Sequence, residues 1–168
     1  MKNQIRNILI AVLGFTLLIT ISCKKSDTLD NFGAEDYIVF GVSAGNCISD
    51  CVQIFKLTKT AVYRDDHASY VGAGNFQNYL FNPVYTLSDS RFKGVEALIT
   101  SVPSELHNGR RQVIGCPDCA DAGAVYIELQ FNGVNTRFLL DGADSTEESQ
   151  VLKSFKQQIL DAIGKLRN

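Results

Sequence analysis

The chain predicts an α+β two-layer sandwich, a mostly antiparallel sheet of five to six strands covered by two helices, in the order β-β-β-(β)-α-β-β-α. Three observations predict it. The first is a hairpin, in which Val125, Ile127, Leu129 and Phe131 alternate with Tyr126, Glu128 and Gln130, followed by Asn132-Gly133. That dipeptide supplies the two positive-φ positions of a type I′ turn, and 134–140 returns as the partner strand. The second is a set of β-branched and aromatic runs early in the chain. The third is a pair of amphipathic helical patterns, one near the middle and one at the end, each with an apolar face that must cover a sheet.

In order, residues 37–42 (YIVFGV) form the first strand. Residues 43–50 form a loop, and 51–57 (CVQIFKL) a second strand. A turn at 58–60 leads to a short third strand at 61–64. Residues 65–78 are polar and glycine-bearing, which predicts an exposed loop. Residues 79–85 are an optional edge strand, because Pro83 lacks a donor and edges tolerate that. A helix starts after Ser88 or Asp89, with Phe92, Val95, Leu98, Ile99 and Val102 on one face. Pro103 ends it or starts a short second turn over 104–107, and 108–111 is a loop. Ser145 and Glu148 have capping-box spacing and predict the start of the last helix, whose apolar positions include Leu152, Phe155, Ile159, Ile163 and Leu166.

The amino terminus carries different information. Lys2 and Arg6 precede an uncharged apolar run from Ile8 to Ile21, then Ser22 and Cys23. A basic start, an apolar stretch and a small residue before the cut describe an export signal. Arg6 and Lys24 bracket seventeen uncharged residues, short against the roughly 20 that span a bilayer. Cysteine after this run resembles the lipobox of bacterial lipoproteins, with Thr20 where leucine is usual. The resemblance implies a cleaved signal peptide over 1–22 and acyl chains such as palmitate on Cys23. It also implies a membrane partner through that lipid, and a place in the cell envelope, at the outer membrane of a Gram-negative bacterium. A polar tether follows over 23–34, and one domain over 35–168.

Cleavage removes Lys2 and Arg6, leaving 14 of the 16 basic residues against 18 acidic, a net charge of −4. No basic patch remains, which excludes a nucleic-acid partner on electrostatic grounds. Of five cysteines, one is lipidated and four are left: Cys47, Cys51, Cys116 and Cys119. In an oxidising compartment an even set reads as structural disulfides. Three pairings are open. A local 47–51 bridge contributes about 2 kcal/mol by loop entropy, and a 47–116 cross-link about 4.4 kcal/mol, so stability alone favours crossing.

Two other chemistries compete for these sulfurs. Cys116-Pro-Asp-Cys119 has the spacing of a thiol redox motif, but a strand follows it and Asp118 and Asp121 oppose a thiolate. The four thiols also have zinc-like spacing, which an oxidising compartment disfavours.

The C-x-x-x-C loop running from Cys47 to Cys51 into VQIFKL, then Val62-Tyr63, with the later GCPDCAD and YIE segments, resembles a family of uncharacterised lipoproteins of Bacteroidetes-type bacteria. The resemblance implies a domain of unknown function and local pairing, Cys47–Cys51 and Cys116–Cys119.

Further polar residues are weaker candidates. Asp65-Asp66-His67 reads as a solvent-facing loop before a cation site. Asp118 and Asp121 fall short of the 6–8 oxygens of a calcium site. His107 reads as a helix-end partner, and Ser88 and Ser145 as caps. No nucleophile elbow and no phosphate-cradling glycine loop is present. The expectation is a non-enzymatic binding or structural lipoprotein with no cofactor and no metal, whose protein or small-molecule partner is open. The alternatives are a thiol-disulfide oxidoreductase acting through Cys116 and Cys119 and a zinc module built on the four cysteines.

Overall fold

The computed structural model describes residues 32–65, 69–107 and 112–167. The expected signal segment, Cys23, the expected tether up to residue 31, Asp66, His67 and the loop expected over 108–111 lie outside the described residues.

Seven strands make one sheet: β1 (Tyr37–Ser43), β2 (Val52–Thr58), β3 (Val62–Asp65), β4 (Pro83–Thr86), β5 (Val113–Ile114), β6 (Ala124–Phe131) and β7 (Val134–Asp141). Their spatial order is β4-β3-β2-β1-β6-β7-β5. Every pairing is antiparallel except β5 with β7. The helical segments are α1 (Asp89–Val95), α2 (Leu98–Ser101), α3 (Ser104–His107) and α4 (Gln150–Arg167). The α+β class therefore holds, and the finer expectation is corrected. The sheet has seven strands in place of five or six, and the order is β-β-β-β-α-α-α-β-β-β-α. The added strand, β5, is two residues long, too short to produce an alternating pattern.

β1 is central because it can bury both faces. Ile38 and Phe40 point to the helices, and Val39 points to the other side. Gly41 is required there: a Cβ would lie 2.8 Å from the Ile54 Cα and would overlap the Gln53 carbonyl oxygen of β2. The hairpin of β6 and β7 turns at Asn132 (φ 50°) and Gly133 (φ 79°), as the dipeptide requires.

Helix α4 covers one face through Leu152, Phe155, Ile159, Ala162, Ile163 and Leu166, all buried. Each of these leucine, isoleucine and phenylalanine side chains contributes about 1.5–3 kcal/mol of apolar burial. The helix opens at Gln150 and is capped by Ser149, whose Oγ accepts the Leu152 N–H at 3.0 Å. This corrects the Ser145 cap. Ser145 instead accepts the Glu147 N–H in a local turn, because the Glu148 carboxylate is drawn to Lys156 at 2.9 Å.

The helix expected from residue 88 to 102 is broken into α1 and α2. Ile99 and Thr100 donate to carbonyls only three residues back, and the Thr100 and Ser101 hydroxyls donate to Ala97 and Leu98 carbonyls. Such hydroxyls compete with helical backbone bonding. Pro103 then holds Val102 out of the helical region, and α3 is the short second turn.

The segment after β3, expected as an exposed loop, instead covers the second sheet face. Val71 and Phe76 are buried against Val39, Ile54, Tyr126 and Leu139. The Val71 N–H donates to Ser43 Oγ at 2.8 Å, and the Tyr79 ring stands edge-on to Tyr126 at 5.3 Å. Two apolar anchors within a polar run suffice to hold it down. Pro83 sits at the first position of β4, on the sheet edge as expected. Phe32, which falls in the expected tether, is buried and lies 6.5 Å from the Phe131 ring.

Candidate functional site at the disulfide end of the sheet

Antiparallel pairing brings the two cysteine segments together. The C-terminal end of β1 lies beside the N-terminal end of β6, with Ser43 opposite Ala124. The loop leaving β1 carries Cys47 and Cys51, and the loop entering β6 carries Cys116 and Cys119. Both pairs form disulfides within their own loops, Cys47–Cys51 with Cα atoms 5.6 Å apart and Cys116–Cys119 with Cα atoms 5.5 Å apart. The local pairing implied by the family resemblance is the one present.

The first loop is a hairpin closed by the Ala44 N–H on the Cys51 carbonyl at 2.9 Å. Its disulfide holds up a short tip on which Ile48 is fully exposed. The second loop turns through Asp118 (φ 63°), Asp121 (φ 59°) and Gly123 (φ 71°). Aspartate is among the few residues that visit the left-handed region readily, since its short side chain bonds locally. The Cys119 N–H reaches the Cys116 carbonyl, and the Asp118 N–H reaches Gly123.

Carboxylates join the two loops. Asp118 accepts from the Gly45 N–H at 3.2 Å and from the Tyr70 hydroxyl at 2.7 Å. Asp121 accepts from the Asn46 side-chain amide at 2.7 Å. Asp141, at the end of β7, accepts from the Cys116 N–H at 3.2 Å and the Ala143 N–H at 3.0 Å. The Tyr70 phenol is held above its ordinary pKa, first by its hydrogen bond to Asp118. Asp118 and Asp121, which fall short of a calcium site, instead hold loop to loop.

This geometry limits the chemistry of Cys116 and Cys119. A reactive thiolate needs a helix amino terminus or nearby cations. Here only a three-residue 3₁₀ turn, Cys119–Asp121, begins at Cys119, and Asp118, Asp121 and Asp141 supply negative charge. With all four sulfurs paired, no thiolate is left for zinc, and no group of three metal-ligating side chains exists among the described residues.

The remaining candidates are structural. Asp65 is buried, not solvent-facing, and accepts from the Tyr79 hydroxyl at 2.6 Å and the Asn82 N–H at 3.0 Å. His107 ends α3 and stacks on Phe131 with centroids 5.0 Å apart. Ser88 occupies the cap position of α1 without a side-chain cap bond, its Oγ lying 3.0 Å from that of Ser90.

Sequence reasoning missed a polar cluster on the second face. Glu128 is buried, and its Oε1 accepts from Tyr37 at 2.9 Å and Asn135 at 2.9 Å. Its Oε2 accepts from Tyr126 at 2.8 Å and lies 3.2 Å from Arg137 Nε. Burial, then the Glu128 charge, pushes the Tyr37 phenol up to about 12, and Tyr126 higher for the same reasons. The signal was available: the Asn132-Gly133 turn sets a register that puts Glu128 directly opposite Arg137.

No protein-family model matches the chain, and no curated protein matches it.

Proposed function

We propose that the chain is an exported lipoprotein of the cell envelope, anchored at the outer membrane through acyl chains on Cys23, whose domain binds a partner and turns over no substrate. The observation that carries this reading is the disulfide end of the sheet, where two oxidised pairs from distant segments are fixed to each other by Asp118 and Asp121. Structural disulfides belong to exported proteins, and here they hold loops that present a surface. The basic start, apolar run and Cys23 supply the route out and the attachment. Several acyl chains hold firmly because each buried CH₂ adds about 0.8 kcal/mol. The carboxylates around Cys116 and Cys119 favour a stable bridge over a redox role.

Metabolic labelling with radiolabelled palmitate in a Gram-negative host tests the reading. The full chain is expected to take up label, and a Cys23→Ala chain is expected to take up none. An unlabelled wild type, or equal labelling of both chains, contradicts it.

A further inference from the structure

Two large apolar side chains stay exposed at the disulfide end, Ile48 at the tip of the first loop and Tyr70, whose ring lies beside Gly45 of that loop. A lone exposed isoleucine is ordinary on a protein surface. This one is braced from several sides. The Cys47–Cys51 bridge closes the tip beneath it, and the Ala44 N–H on the Cys51 carbonyl closes the base. Asp118 and Asp121 hold Gly45 and Asn46 on one flank, and the Gln53 side-chain amide donates to the Asp50 carbonyl on the other. A loop ordered in advance has little freedom left to lose on binding.

The surroundings of the tip are negative. Residues 43–51, 69–75 and 115–123 contain Asp50, Asp118 and Asp121 and no lysine or arginine. Asp118 accepts from the Gly45 N–H and the Tyr70 hydroxyl, and Asp121 from the Asn46 amide. Those donors are neutral, so the bonds fix the carboxylates without cancelling their charge. Asp141, beside Cys116, is likewise held by the neutral Cys116 and Ala143 N–H groups.

The tip also lies far from where the chain enters the domain. Phe32 packs near Phe131, at the end of β6 opposite Ala124. The seven residues of β1 separate that end from Ser43 by roughly 20 Å. Anchored through Cys23, the domain carries Ile48 at its end away from the attachment, and the carboxylates repel both anionic lipid and the same end of a second copy.

We infer that this end docks onto a protein that offers an apolar socket rimmed by lysine and arginine, with Ile48 as the side chain that enters the socket and Tyr70 beside it. Interfaces of this build have an apolar centre, and their charged rims set approach and register. The inference rests on the partner-binding reading above and gives that partner its chemistry.

Photo-cross-linking tests it. Full chain in detergent micelles, carrying p-benzoylphenylalanine in place of Ile48 or, as control, of the exposed Val134 at the other end of the sheet, is irradiated with solubilised envelopes of its own host. Position 48 is expected to capture one protein that position 134 does not, with the cross-linked peptide mapping to an apolar site flanked by lysine or arginine. Unlabelled wild-type chain is expected to suppress capture, Ile48→Asp to compete about tenfold less well, and salt near 0.5 M to weaken it. No captured protein, capture of lipid or of a second copy, equal capture at both positions, a captured site without basic residues, salt-insensitive capture, or undiminished competition by Ile48→Asp overturns the inference. Palmitate labelling of the same chains reads the anchoring separately, so a labelled chain that captures nothing fails on the docking alone.

Discussion

Raising the pH above 10 is expected to strip the domain of stability at about 3 kcal/mol per pH unit. Tyr79 and Tyr126 are buried, and burial is the first cause that lifts both phenols well above their ordinary pKa. Asp65 adds to the effect at Tyr79, and Glu128 at Tyr126. Below pH 10 these side chains are protonated in folded and unfolded chains alike, so their stabilisation is fully present. Above pH 10 the unfolded chain releases protons that the folded chain retains, and stability falls as pH rises. Each such group contributes a slope of about 1.4 kcal/mol per pH unit, so the two together give the figure above. Tyr37 adds to the slope until the pH reaches about 12, where its own folded phenol ionises. Urea unfolding at a series of alkaline pH values, read beside tyrosinate absorbance, checks this. Stability that stays flat while all six tyrosines ionise near pH 10 would count against the buried network.

Lys156→Met is expected to cost about 3–5 kcal/mol, a large part of the 5–15 kcal/mol typical of a domain. Lys156 is 3% exposed, and its ammonium donates to Glu148 at 2.9 Å, the Asp141 carbonyl at 3.1 Å and the Ala143 carbonyl at 2.6 Å. The Glu148 side chain is wholly buried, so methionine strands a carboxylate in apolar surroundings. The same ammonium ties the exit of β7 to the first turns of α4, so its loss also loosens the approach to the disulfide end. Replacing both partners, Lys156→Met with Glu148→Leu, is expected to recover most of the loss, because an apolar pair of similar volume costs no desolvation. Urea midpoints of the three chains decide the matter. A single variant as stable as wild type would mean that the pair is not buried as described.

The hairpin around Asn132-Gly133 was legible because two independent signals agree there, a strict alternation and a turn with one backbone solution. The final helix was legible for the same reason, its apolar stripe running far longer than any strand. Its start was not, because Ser145 and Ser149 both precede the stripe, and only the pull of Lys156 on Glu148 decides between them. The 65–78 loop was read as solvent-exposed because its average is polar, yet Val71 and Phe76 are buried and, with Tyr79 just beyond, hold it to the second face. Averages over a window lose single anchors of that kind.

At the disulfide end, the four cysteines were legible as a set, and the adjacency of their loops was not. Adjacency follows from β6 pairing with β1 across 80 residues of sequence, a long-range choice that no local pattern encodes. The Glu128 cluster was hidden differently. Tyr126, Glu128 and Gln130 read only as the alternate positions of a hairpin strand, and Val71, Phe76 and Tyr79 from the returning segment cover that face.

The central claim is that this chain leaves the cytosol, acquires lipid at Cys23 and oxidises its remaining cysteines in two local pairs. Intact-mass analysis of the chain extracted from host membranes without reductant tests all of it at once. The account predicts a polypeptide starting at an acylated Cys23 and lacking the four thiol hydrogens of Cys47, Cys51, Cys116 and Cys119. An unmodified chain that still begins at Met1 and carries four free thiols would contradict it.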